Sequence, residues 1–151
     1  MQTFYSELLA RFEELHADIE KTLAGLSAEA LDWSPGPEMN SLSVIVAHTT
    51  GVERYLVCQL ACGQVIQRDR EAEFKVRGLD EATLKNLLAD SRAQMRAALE
   101  SVELGQVVAP RTRRDGQPTT VAWALLHALD HTAQHLGHMQ ITRQLWDQER
   151  G

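Results

Sequence analysis

Apolar residues recur at spacings of three and four along four separate stretches of this chain, a pattern that restricts it to packed helices. Phe4, Leu8, Phe12, Leu15, Ile19 and Leu23 draw the first stripe, and Gly25 is placed to end the helix that carries it. A turn-forming run follows, from Trp33 through Pro35, Gly36 and Pro37 to Asn40. Asn40 or Ser41 can then cap a second helix, expected over Leu42 to Cys62 with Gly63 as its stop. Leu84, Leu87, Leu88, Met95 and Leu99 place a third helix over about Glu81 to Val102. Pro110 to Pro118 reads as a loop, after which Thr119 or Thr120 caps a last helix reaching about Trp146. No strand-like alternation competes, and no repeat or low-complexity tract interrupts. The expected fold is all-α, an antiparallel four-helix bundle, with residues 1–151 as one domain. Helix count and length leave the order of neighbours open.

Charge narrows the partners. The formal net charge is −6, so phosphate backbones are repelled on average, and the one basic cluster is Arg111, Arg113 and Arg114. No nucleic-acid partner is expected. No stretch approaches the ~20 apolar residues that span a bilayer, and the first residues lack the basic start and apolar run of a signal peptide. The two cysteines, Cys58 and Cys62, sit four apart in a helical stretch and form no disulfide framework. A reducing, cytoplasmic setting without membrane contact is the expectation, with the cysteines in the core.

Four of the six histidines fall on one narrow stripe of the last helix: His127, His131, His135 and His138. Histidines four apart present their ring nitrogens to one point, and a third from a facing helix would complete a three-nitrogen site. His48, midway along the second helix on a face shared with Val44, Val52 and Tyr55, is such a third. Imidazole suits divalent ions of the zinc, nickel and iron kind, and three protein ligands leave a coordination position open. The stripe spans about 16 Å at 1.5 Å per residue, so one ion can take only an adjacent pair of it. Spacing does not choose between His127/His131 and His131/His135. His16 reads as surface. Asp130 and Glu53 could support a ligand or act as a base, but read first as surface carboxylates.

Three pieces of the sequence carry a family resemblance. Leu31-Asp32-Trp33-Ser34-Pro35, followed by Asn40-Ser41-Leu42 and on to His48, is similar to the lead-in to the second helix of the DinB-like family. Gly51-Val52-Glu53-Arg54-Tyr55 is similar to its continuation. Leu126 to His138 is similar to the family's closing H-x-x-x-H-x-G-[QH] stretch. Together they frame nearly the whole chain in the right order. The DinB-like family includes YfiT-like metal-dependent hydrolases and thiol S-transferases, so the resemblance implies a metal held by one histidine of the second helix and two of the fourth. In this sequence those are His48, His131 and His135.

On that footing the chain is expected to bind a divalent metal, zinc first, with nickel, iron or manganese as alternatives. With an open position it could run metal-dependent hydrolysis, or transfer of a low-molecular-weight thiol to a small-molecule electrophile. Arg111, Arg113 and Arg114, in the loop before the last helix, are candidates to hold that thiol; the plainer reading is a solvated charge cluster. The alternatives are a non-catalytic, metal-stabilised stress-response or interaction bundle, which leaves a homodimer open, and a helical module with no metal. Protons compete with the ion for the three imidazoles, so affinity should fall steeply below about pH 6, whereas a carboxylate-dominated site would hold until about pH 4–5.

Overall fold

A computed structural model describes residues 1–150. Helix α1 (Thr3–Leu23) buries Tyr5, Leu8, Phe12, Leu15, Ile19 and Leu23, so Tyr5 heads the inward stripe and Phe4 faces outward. Gly25 sits just past its end at φ 73°, a left-handed conformation that costs glycine least. A short α2 (Ala28–Asp32), capped by the Ser27 hydroxyl, precedes the proline turn. Helix α3 (Leu42–Glu53) begins where Ser41 caps it, its hydroxyl accepting the Val44 N–H at 3.3 Å. Beyond Glu53 the chain winds on as a π-helical segment, Arg54–Ala61, ended by the Cys62 N–H donating to the Val57 carbonyl. A crossover then carries the single turn α4 (Arg70–Glu73) before α5 (Glu81–Glu100), which Asp80 caps.

The stretch expected as plain loop is a hairpin. Strand β1 (Pro110–Thr112) pairs antiparallel with β2 (Pro118–Thr120), Arg111 opposite Thr119. Three-residue strands are too short for alternation to register in a sequence, and Gly116 at φ 81° closes the turn. Thr120 is the cap of α6 (Val121–Arg150), accepting the Trp123 N–H at 3.2 Å.

The four long helices form the expected bundle, and its order is now explicit. Helices α1 and α3 lie on one diagonal and α5 and α6 on the other, since α1 packs on α5 and α6, and α3 packs on the same two. One apolar cluster gathers Tyr5 and Phe12 of α1, Leu56 and Val57 after α3, Met95 and Leu99 of α5, and Val121 and Leu125 of α6. The other gathers Ile19 and Leu23, Leu42 and Ile45, Leu84 and Leu88, Leu136 and Met139. Hence α1 and α6 run one way and α3 and α5 the other. The antiparallel neighbours are α1 with α5 and α3 with α6.

Between the two clusters lies a buried polar layer with one residue from each long helix. The Glu53 carboxylate accepts from His16 Nε2 at 2.7 Å, Thr132 Oγ1 at 2.8 Å and Ser91 Oγ at 2.6 Å. Arg92 donates to His16 Nδ1 at 3.2 Å, which fixes the ring tautomer, because a guanidinium can only donate. His16 and Glu53, both expected at the surface, are thus fully buried. Each occupies an inward position of an amphipathic helix, where apolar periodicity skips a polar residue whose partners come from other helices.

Candidate metal centre

His48 projects from α3, and His131 and His135 from α6, so the α3–α6 packing brings the three together. One ring nitrogen from each lies within 4.8 Å of the other two. His131 Nε2 and His135 Nε2 are 3.1 Å apart. Tetrahedral zinc with bonds of about 2.0–2.1 Å would hold its nitrogens about 3.3 Å apart, so the pair is already close to ligand spacing. The remaining nitrogens are turned outward. His48 Nδ1 faces Glu73 Oε2 at 3.1 Å, and His135 Nδ1 faces His138 Nδ1 at 3.3 Å. His131 Nδ1 is buried with no hydrogen-bond partner, as are Asp32 Oδ1 and Ser43 Oγ away from the site. The residues therefore fit one divalent ion of the kind that imidazole nitrogen suits.

The crossover supplies a support that sequence reading missed. Glu73 holds His48 and is itself gripped by Arg68, Nε to Oε1 at 2.6 Å and Nη2 to Oε2 at 2.9 Å. Phe74 packs on the His48 ring, with centroids 4.9 Å apart. A carboxylate on the far nitrogen orients a metal-binding imidazole and raises its basicity. Gly51 makes the approach possible, because a Cβ there would overlap the Glu73 carboxylate. Gly51→Ala should therefore weaken metal binding about 10–100-fold, as loss of such a support does. Gly137→Ala, where a Cβ meets open space, should not. Equal affinity of Gly51→Ala and wild type in a chelator competition would remove Glu73 from the site.

Burial pushes the His131 ring down from 6.5 to about 3 and His135 to about 4, helped in each case by the neighbouring imidazoles. His48 is lowered too, first by burial, with Glu73 opposing. Protons thus reach the folded site later than for exposed histidines, so the expected loss of metal moves from about pH 6 towards pH 4–5. For the metal-free fold the sign is a loss: between pH 6.5 and about 4 the unfolded chain takes up protons that the native rings refuse. The denaturation midpoint of chelated protein should fall from pH 7 to pH 5, and fall less in a His131→Ala/His135→Ala double variant. Identical slopes for the two would show that the rings are not held neutral.

The remaining candidates separate cleanly. His127 stacks on Trp123, centroids 4.6 Å apart, and stands 6.3 Å from the His131 ring rather than in the cluster. Asp130 is exposed, as expected, and accepts from Gln134. Cys58 is buried as expected and Cys62 half-buried; burial raises the Cys58 thiol to about 11 and Cys62 to about 12, which disfavours the thiolate. Arg111 is spent on backbone, donating to the Leu60 and Ala61 carbonyls at the end of the π-helical segment. Arg113 lies over Trp123 and pairs with Asp115; Arg114 lies over Tyr55.

The family profile of mycothiol S-transferase matches residues 7–148. The chain belongs to this DinB-like family. No protein of curated function matches the sequence significantly. Among solved structures, a DinB-like protein from Bacillus cereus superposes with TM-score 0.74 at 16% identity, covering 91% of this chain and 89% of that one. YfiT from Bacillus subtilis, described as a probable metal-dependent hydrolase with an unusual four-helix bundle topology, gives 0.73 at 16%, covering 94% and 87%. A mycothiol-dependent maleylpyruvate isomerase gives 0.65 at 17%, covering 90% of this chain and 62% of that one. At such identities the likeness is one of fold. In this mycothiol S-transferase family member no helix among the described residues is long and apolar enough to cross a membrane. A cleft of about 370 Å³, walled by Tyr55, Leu60, Arg113, Arg114, Asp115, Trp123 and His127, opens at the N-terminal end of the histidine stripe.

Proposed function

We propose that this protein is a metal-dependent transferase that joins a low-molecular-weight thiol to a small electrophile. The observation that carries the reading is the convergence of His48, His131 and His135 beside a cleft walled by arginines and aromatic rings. A divalent ion held there, zinc first, would favour thiolate over thiol through its charge. The chain's own part is to hold and aim the reactants. Arg113 and Arg114 offer planar donors to the carboxylate or hydroxyl groups of the thiol, and Trp123 and Tyr55 offer faces to its body. His48 stays aimed through Glu73 and Arg68. In the transfer, sulfur bonds to the electrophilic carbon, the leaving group departs with its electron pair, and the thiol proton goes to solvent. Arg111, tied to the helix end, shapes the hairpin rather than meeting the thiol.

The test is a screen of zinc-, nickel- and manganese-loaded protein with mycothiol, bacillithiol and glutathione against 1-chloro-2,4-dinitrobenzene. Conjugate formation with one thiol, lost in Arg113→Ala or on chelation, is the expected result. Metal-dependent ester cleavage without any conjugate would replace transfer by hydrolysis. Metal binding with neither activity would leave a structural ion.

A further inference from the structure

A second cleft, unlike the first, lies at the other end of the histidine stripe. It measures about 280 Å³, and its wall includes His135 itself. Met39, Ile45 and Ile141 give it an apolar lining, with the Asn40 amide and the His138 ring as polar groups. Met39 and Ile141 remain 49% and 54% exposed, which is unusual for large apolar side chains lining one concave site. The wall is not a loose loop. The Ser34 hydroxyl lies 2.7 and 2.6 Å from the Gly36 and Met39 carbonyls and donates to one of them, and Trp33 packs edge-on against Trp146 of α6, centroids 5.6 Å apart. Such a preformed, largely apolar pocket with a few polar groups is what small-molecule sites look like.

Charge separates the two clefts. The first carries Arg113 and Arg114 against the single carboxylate of Asp115, a net positive lining; the second carries the Glu38 carboxylate, which repels anions. A ligand here touches His135 directly, whereas the arginine cleft meets the cluster only through His127.

We propose that this second cleft binds the electrophile of the reaction, a small uncharged molecule with an aromatic or alkyl body and a hydrogen-bond acceptor for Asn40. The electrophile's role rests on the transferase reading above; the preference for a neutral, apolar ligand does not.

The experiment titrates 1,3-dinitrobenzene, an unreactive neutral nitroaromatic, into zinc-loaded protein carrying labelled isoleucine, leucine and methionine methyls. Saturable shifts at Met39, Ile45 and Ile141 are expected, with small ones at Leu56 and Leu60 of the arginine cleft. Ile141→Lys, at a position 54% exposed, should weaken this binding at least about tenfold, while the exposed Leu126→Lys leaves it unchanged. 3-Nitrobenzoate should bind at least about tenfold more weakly than the neutral probe. Shifts centred on Leu56 and Leu60, no saturation, or equal binding of the anion would each overturn the assignment. Binding without turnover would sink the transferase reading and spare the cleft; turnover without binding here would do the reverse.

Discussion

Replacing His131 by alanine should abolish tight binding of a divalent ion. Its Nε2 sits 3.1 Å from that of His135, and its ring faces His48 with centroids 5.1 Å apart, so it belongs to both sides of the cluster. Loss of a support such as Glu73 costs about 10–100-fold in affinity, and loss of a ligand itself should exceed that. His48→Ala and His135→Ala should behave alike. His127→Ala should keep one ion per chain, because that ring is committed to Trp123. The measurement is metal content and titration calorimetry on protein prepared without a histidine tag. Chelation should lower the melting temperature of wild type, since an ion bound only by the folded state stabilises it by RT ln(1 + [L]/Kd), and leave His131→Ala unmoved. A variant set in which His127→Ala loses the ion and His135→Ala keeps it would show that the other adjacent pair is the ligand pair.

Glu53→Ala should destabilise the fold by about 3–5 kcal/mol, the range found when one partner of a buried charged network is removed. The substitution strands three donors at once, on His16, Ser91 and Thr132, each on a different helix. Glu53→Gln should recover part of the loss, because one carboxamide oxygen can still accept. Asp130→Ala, at an exposed position, should change stability by less than about 0.5 kcal/mol. Urea denaturation midpoints decide it: a Glu53→Ala variant within about 1 kcal/mol of wild type would mean the layer holds nothing together.

Periodicity exposed the bundle because apolar stripes in α1, α5 and the start of α3 are local and regular. Gly25 was readable for the same reason, and the Ser41 and Thr120 caps to within one residue, since caps act on their own helix. Spacing left the ligand pair open: His127/His131 and His131/His135 are equivalent on a helical wheel, and the resemblance alone favoured the second; the fold groups His48 with His131 and His135. Glu73 and Arg68 left no trace. They lie in a crossover without periodicity, 25 and 20 positions from His48, and their role exists only because the chain folds back over α3. His16 and Glu53 were misread because a polar residue on an inward face resembles a surface one until its partners on other helices are known. The hairpin was missed because two strands of three residues carry almost no pattern.

The shared direction of α3 and α5 has one more consequence. Two consecutive helices that point the same way oblige the chain to travel back along the bundle between them, a return of about 30 Å for a helix of 20 residues. The segment between Cys62 and Asp80 makes that journey with slack to spare, and the slack is where α4 forms and delivers Glu73 to His48. A connection of this kind belongs to no helix and can lengthen cheaply, since doubling a flexible loop costs only about 0.6 kcal/mol in closure entropy. Changes in that return path away from Arg68 and Glu73 can thus be absorbed without moving the three imidazoles, which stand on α3 and α6.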